Sequence, residues 1–273
     1  VLSFGLSRFV RQQVQPRAAR MEYMKMRALL FLVLAISPPI CIAQAHDQEA
    51  ILRACGKAMG GNQQVDFIAE GSLQMANAET AQHVLIKTRG LESFRMERGE
   101  SGQAEVSIIS RGRGARHGAA PKTAMSRQDT AYFKADHLPA FMCAISPVKD
   151  GMQLSYVGED IVGGRPTFHL KLNAIPKGRN AHADLIESLI SEFHLFIDQQ
   201  SFVVLKSAKY VFSPTAIENR SWWETLYSDY RPVNGIQMPF RLETLVAGQP
   251  FSTTTFSTIT NVTLSNQDFE EAN

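Results

Sequence analysis

Hydrophobic and polar positions first separate at a helical interval. Between His46 and Met59, the residues Ile51, Leu52, Cys55 and Met59 share one helical face, and the run ends at Gly60-Gly61. That pattern predicts a short amphipathic helix closed by a glycine stop. The period then changes. Val65, Phe67, Ala69, Gly71, Leu73 and Met75 alternate with mostly polar neighbours, which predicts a strand over residues 65–76 with one buried face. Further strands are predicted over 82–88, 92–98 and 104–110, separated by Gly90, Gly99 and Gly102, the spacing of an antiparallel meander. From Arg111 to Asp129 neither period is present, and the reading there is a mobile basic loop. Residues 130–148 carry Tyr132, Phe133, Leu138, Phe141, Met142 and Ile145 interrupted by Pro139 and Pro147, a pattern that predicts a short helix or a broken lid. Strands resume over 153–157, 165–172, 193–198, 203–212, 222–230, 236–246 and 251–261, with one helix predicted at 184–191.

About ten or eleven strands in successive hairpins, with two or three short helices and no βαβ rhythm, exclude a doubly wound sheet. The expected fold is α+β and mostly β. A large antiparallel sheet of this size must curl, so the expectation is a strongly curved sheet forming an incomplete barrel, with short helices over its concave face. A composition of 44% hydrophobic and 20% charged residues is that of a globular chain rather than a disordered one.

Charge is unevenly distributed. Arg8, Arg11, Arg17, Arg20, Lys25 and Arg27 stand against the single acid Glu22 in residues 1–45. Taking those six bases and one acid from the chain's 28 Lys+Arg and 26 Asp+Glu leaves 22 against 25. The remainder is slightly acidic, so its composition gives no support to nucleic-acid binding. Residues 1–45 read as an upstream extension followed by a secretory signal peptide. Lys25 and Arg27 precede the apolar run 28–36, Pro38-Pro39 breaks it, and Ala43-Gln44-Ala45 supplies a cleavage site after Ala45. Residues 1–20, ahead of Met21, Met24 and Met26, are read as an upstream start that forms no structure. The alternative is an N-terminal membrane anchor, for which the apolar run is short. Ser-Pro-Pro-Ile ahead of Cys41 is a poor lipidation signal. A single exported, periplasmic domain over 46–273 is therefore expected, in a compartment where Cys55 and Cys143 could pair or remain buried thiols.

Chemistry-bearing motifs are sparse. None of the seven histidines lies in an HxH, HxxxH or HExxH arrangement, so no metal or other cofactor is expected. No Gly-x-Ser-x-Gly elbow occurs, and the expectation is a protein that is not an enzyme. A hydrolytic site would need groups from separate strands, such as Asp198 with His194, but Asp198 is expected to close a turn and His169 and His194 to lie on the wet face of a sheet. Arg111, Arg113 and Arg116 could contact a lipid headgroup or a partner protein.

Three stretches carry a resemblance: Leu154-Ser-Tyr-Val-Gly-Glu-Asp-Ile-Val-Gly-Gly-Arg-Pro-Thr-Phe-His-Leu-Lys-Leu172, Leu195-Phe-Ile-Asp198 followed by Phe202-Val-Val-Leu205, and Tyr227-Ser-Asp-Tyr-Arg-Pro-Val-Asn-Gly-Ile-Gln-Met-Pro-Phe240. With the first helix and its glycine stop, they make most of Asp47–Phe269 similar to the LolA/LolB-like superfamily of bacterial envelope lipoprotein carriers. The resemblance implies a bent sheet whose concave side holds acyl chains beneath short helices. It also implies a basic residue on an early strand that latches the lid; residues 65–76 have none, and Arg89 and Arg95 come later. Strand parity nominates Phe67, Leu73, Met75, Phe94, Met96, Phe133, Phe141 and Met142 as cavity residues. The function expected is a lipid or lipoprotein carrier, with peripheral membrane contact. The alternative is an envelope sensor or assembly factor that binds a protein partner at the sheet edge or through residues 111–122.

Overall fold

The computed structural model describes residues 47–60, 66–90, 93–100, 103–118, 121–144, 147, 151–178, 180–213 and 216–270. The expected signal segment and its cleavage after Ala45 lie outside the described residues. Helix α1 (Gln48–Ala58) begins where the Asp47 carboxylate accepts hydrogen bonds from the backbone N–H groups of Glu49 and Ala50, and it buries Ile51, Leu52 and Cys55. It ends at Met59, followed by Gly60 at φ 108°.

The chain then builds β1 (Phe67–Met75), β2 (Gln82–Arg89), β3 (Ser93–Arg98), β4 (Glu105–Ser110), β5 (Arg113–His117) and β6 (Thr123–Ala124). Two helices follow, α2 (Arg127–His137) and α3 (Ala140–Cys143), broken at Leu138-Pro139. Next come β7 (Met152–Val162), β8 (Arg165–Ala174), helix α4 (Ala181–Ile190), β9 (Phe193–Asp198), β10 (Val204–Ser213), β11 (Ala216–Val233), β12 (Ile236–Val246) and β13 (Gln249–Asn261). A 3-10 turn, Asn266–Phe269, closes the described chain and lies on the outer side of the sheet, with Lys87 bonded to Asp268 at 2.9 Å and Arg89 over the Phe269 ring.

All thirteen strands among the described residues form one sheet in the order β6-β5-β4-β3-β2-β1-β13-β12-β11-β10-β9-β8-β7, antiparallel throughout. Each pair of neighbours is consecutive in sequence, with α4 inserted between β8 and β9, except where β1 meets β13, which joins the two halves of the meander. The sheet is an incomplete barrel: β6 and β7 are its two unpaired edges. Between those edges in sequence stand α2 and α3, so the gap in the wall is where the chain leaves the sheet to cover the trough. At Gly71 the register of β1 against β13 shifts, and a Cβ would stand 2.1 Å from the Thr255 carbonyl oxygen. The residue read as part of an apolar face is there for close backbone approach.

Strand and helix counts exceed the expectation, and the largest correction concerns the expected mobile loop. Residues 113–117 pair with β4 and residues 123–124 with β5, and helix α2 starts at Arg127 behind a Ser126 cap. The period failed to show because the inward positions of β5 are Gly114 and Arg116. A Cβ on Gly114 would lie 2.8 Å from both Met125 Sδ and Thr130 Oγ1, so this glycine admits the start of α2 against the strand.

The concave face is apolar. Val84, Ile86, Phe94, Leu170, Leu172, Phe193, Leu195 and Ile197 are fully buried and, with α1, fill one part of the trough. Cys55 of α1 and Cys143 of α3 form a disulfide across 88 residues of sequence, with Cα atoms 5.7 Å apart. Among the described residues no helix is long and apolar enough to cross a membrane.

Candidate functional site

The other part of the trough is hollow. A cavity of about 670 Å³ lies where β1, β3, β10 and β12 end and β11 and β13 begin. That volume falls within the ~300–1,000 Å³ typical of small-molecule sites. Leu73 and Met75 of β1, Met96 of β3, Trp223 of β11, Leu242 of β12 and Phe251 of β13 form its apolar wall. Alternation along each strand puts the first five there, since these positions share the parity of the buried face; Phe251, out of step with the buried Thr254 and Phe256, reaches the cavity where the register of β12 against β13 shifts between Thr244 and Leu245. Phe133 of α2 and Ile190 of α4 contribute from the helical side. A second hollow of about 960 Å³ is lined by Arg165, Ser201, Ser228, Asp229, Gln237 and Glu243 beside Val162, Val203, Leu205 and Tyr230. Both walls carry polar groups, but only the end of α1, at Ala58, borders this hollow, whereas α2 and α4 cover the first, which is therefore the better seat for an apolar ligand.

Of the eight residues nominated from sequence, Leu73, Met75, Met96 and Phe133 line the cavity. Phe67, Phe94 and Met142 are buried in the core, and Phe141 packs against it. Phe94 meets the Phe133 ring edge-on at 5.6 Å, one layer behind the cavity surface. Parity finds the correct face but does not distinguish the filled part of the trough from the empty part. Trp223, Leu242 and Phe251 were missed. The signal for Trp223 was the Trp222-Trp223 pair: Trp222 faces outward against Tyr210 and His194, while Trp223 faces inward against Phe251 at 5.1 Å.

The lid is tied down by polar contacts absent from the sequence reading. Lys209 of β10, itself buried, forms a short ion pair with Asp136 of α2. The Tyr227 hydroxyl of β11 reaches the backbone carbonyls of Ala135 and Asp136 at 3.1 and 3.2 Å and shares a 2.7 Å hydrogen bond with Ser207. Burial raises the Tyr227 pKa well above its ordinary value, which keeps the donor proton in place. Tyr132 of α2 stacks on Phe193 at 4.8 Å. Thus the cation that forms an ion pair with the lid comes from β10, not from β1. His137, also lining the cavity, is held below its ordinary pKa by burial, against the opposing effect of a 2.8 Å bond with the Phe133 carbonyl, and is neutral at pH 7.

The basic cluster is divided. Arg111 and Arg113 are exposed at the β4–β5 turn, whereas Arg116 faces inward, lining the cavity with its guanidinium over the Phe133 ring at 5.2 Å. The three do not form one contact surface, because Arg113 and Arg116 lie on opposite faces of β5. Asp198 does close a turn: it accepts from the Ser201 N–H and hydroxyl and pairs with Arg165 at 2.8 Å. His194 instead meets His169 at 2.7 Å and Glu192 at 3.0 Å on the outer face, where both histidines are half-buried beside Phe196 and Trp222.

No family model matches the chain, and no curated protein matches it in sequence. Solved structures do match. A LolA superfamily protein from Nitrosomonas europaea superposes with a TM-score of 0.55 at 13% identity, over 83% of this chain and 99% of that one. A domain assigned to outer-membrane lipoprotein sorting from Vibrio parahaemolyticus gives 0.54 at 12% identity, over 81% and 95%. A DUF1329 family protein from Desulfovibrio piger gives 0.53 at 12% identity, over 82% and 95%. The chain has the LolA-like fold: an unclosed antiparallel barrel with helices across its mouth.

Proposed function

We propose that the protein is a non-enzymatic periplasmic carrier that shelters the acyl chain of a lipid or acylated protein in the hollow beneath α2. The observation that carries this reading is the cavity itself, an apolar wall of six side chains left unfilled under a pinned helix. Each acyl methylene moved from water into such a wall contributes about 0.8 kcal/mol, so a chain of modest length binds without any specific polar contact. The expected signal segment supports a periplasmic location, and the LolA-like fold of lipoprotein-sorting relatives supports the class of cargo.

The test is solvent extraction of the purified protein followed by mass spectrometry, together with uptake of a fluorescent fatty acid. Copurifying lipid and saturable uptake are expected. Thr244 lines the cavity, and Thr244→Trp narrows it; uptake should fall by roughly tenfold or more with little loss of stability. Repeated absence of lipid with no uptake would refute the reading.

The second reading, an envelope sensor or assembly factor, is favoured by one observation: β7 presents eleven residues as an unpaired edge with Val157 and Ile161 exposed. Crosslinking that captures one envelope protein through β7, with no bound lipid, would favour it over the carrier.

A further inference from the structure

The charges around the cavity match in number, Arg98, Arg116 and Lys209 against Glu105, Asp129 and Asp136, but not in pairing. Lys209 is matched by Asp136, and Arg98 by Glu105 at 2.6 Å. Asp129, the remaining lining acid, sits in the first turn of α2, where the helix dipole favours a negative charge. Arg116 has neither kind of compensation. Among the described residues its contact is the Phe133 ring, and its Nε is buried with no hydrogen-bond partner. A guanidinium cannot shed its proton to relieve burial, and its planar fork of donors fits the paired oxygens of a carboxylate or phosphate. Arg98 and Arg116 also border a third hollow, lined by Gln82, Gln103, Glu105 and His117, so they mark one polar end of the apolar cavity.

We propose that Arg116 is a headgroup anchor and that the cargo is an anionic amphiphile, with its acyl tail against Leu73, Met96, Trp223 and Leu242 and its carboxylate or phosphate oxygens on the Arg116 guanidinium. This rests on the carrier reading and narrows it: a neutral lipid of the same length leaves the buried donor unpaired.

The full-length protein, expressed with its own export segment and stripped of bound lipid, is titrated calorimetrically with four C16 ligands. They are palmitate, palmitoyl lysophosphatidate, hexadecanol and methyl palmitate. At least one anion is expected to bind about tenfold or more tightly than either neutral ligand, and the preferred anion identifies a fatty-acid or a phospholipid source. Arg116→Gln should abolish that preference while keeping the affinity for hexadecanol, which also reports that the variant is folded. Arg116→Lys should keep part of it, since charge remains but the fork is lost. Neutral ligands binding as tightly as both anions to the unmodified protein, or a preference that survives Arg116→Gln, would overturn the inference and leave the carrier reading intact. Failure of all four to bind would overturn both.

Discussion

At the scale of single residues, the least expected chemistry is on the outer face, where His169 and His194 hydrogen-bond to each other. Burial, then the neighbouring His194, brings the His169 pKa down to about 4, and burial likewise lowers that of His194. An unfolded histidine titrates near ~6.5, so between those values the unfolded chain takes up a proton that the folded one refuses. Stability should therefore be complete above pH ~6.5, fall as pH is lowered towards about 4, and cease falling for this group below that. Urea unfolding across that window checks it: Gln in place of His169 should flatten the slope, and an unchanged slope would contradict the assignment. Sequence placed both histidines on the sheet's outer face, but their pairing depends on the cross-strand register of His169 with Phe196 and Lys171 with His194. No local pattern encodes that register.

At the scale of elements, strands were legible and the lid was only partly so. Alternating positions in β1, β2, β9 and β12 announce one buried face because Val, Ile, Leu and Phe recur every second residue. β5 escaped because Gly114 and Arg116 occupy its inward positions. The pin between α2 and the sheet escaped because Lys209 and Asp136 are 73 residues apart and each looks like an ordinary surface charge. That pin should be energetically visible. Lys209→Ala leaves Asp136 without its partner and is expected to cost about 3 kcal/mol in urea unfolding. Replacing the pair by Lys209→Met with Asp136→Leu should cost less than the single change, because removing both charges strands neither. Equal losses would mean that the pair contributes no coupling.

At the scale of the whole molecule, the order of strands follows directly from a meander whose first strand, β1, pairs with the last, β13, at the centre of the sheet. The disulfide works at this scale too. It joins α1 to α3 over 88 residues, a loop whose closure is worth about 4–5 kcal/mol in the chain-entropy treatment. Reduction, or Cys143→Ser, should lower unfolding stability by up to that amount; a drop well under ~1 kcal/mol would show that the unfolded chain is already compact around it. A barrel that closes on itself has its radius fixed by strand number and shear. Here the wall stops at β6 and β7, and nothing in the strand pairing sets how far apart those edges stand. What spans the opening is helical: α1 packs on β7 and α2 on β5, while the sulfur bridge ties α1 to α3 and Lys209 ties α2 to β10. The width of the mouth is therefore a property of side chains far apart in sequence, and it can change without breaking a single strand-to-strand hydrogen bond.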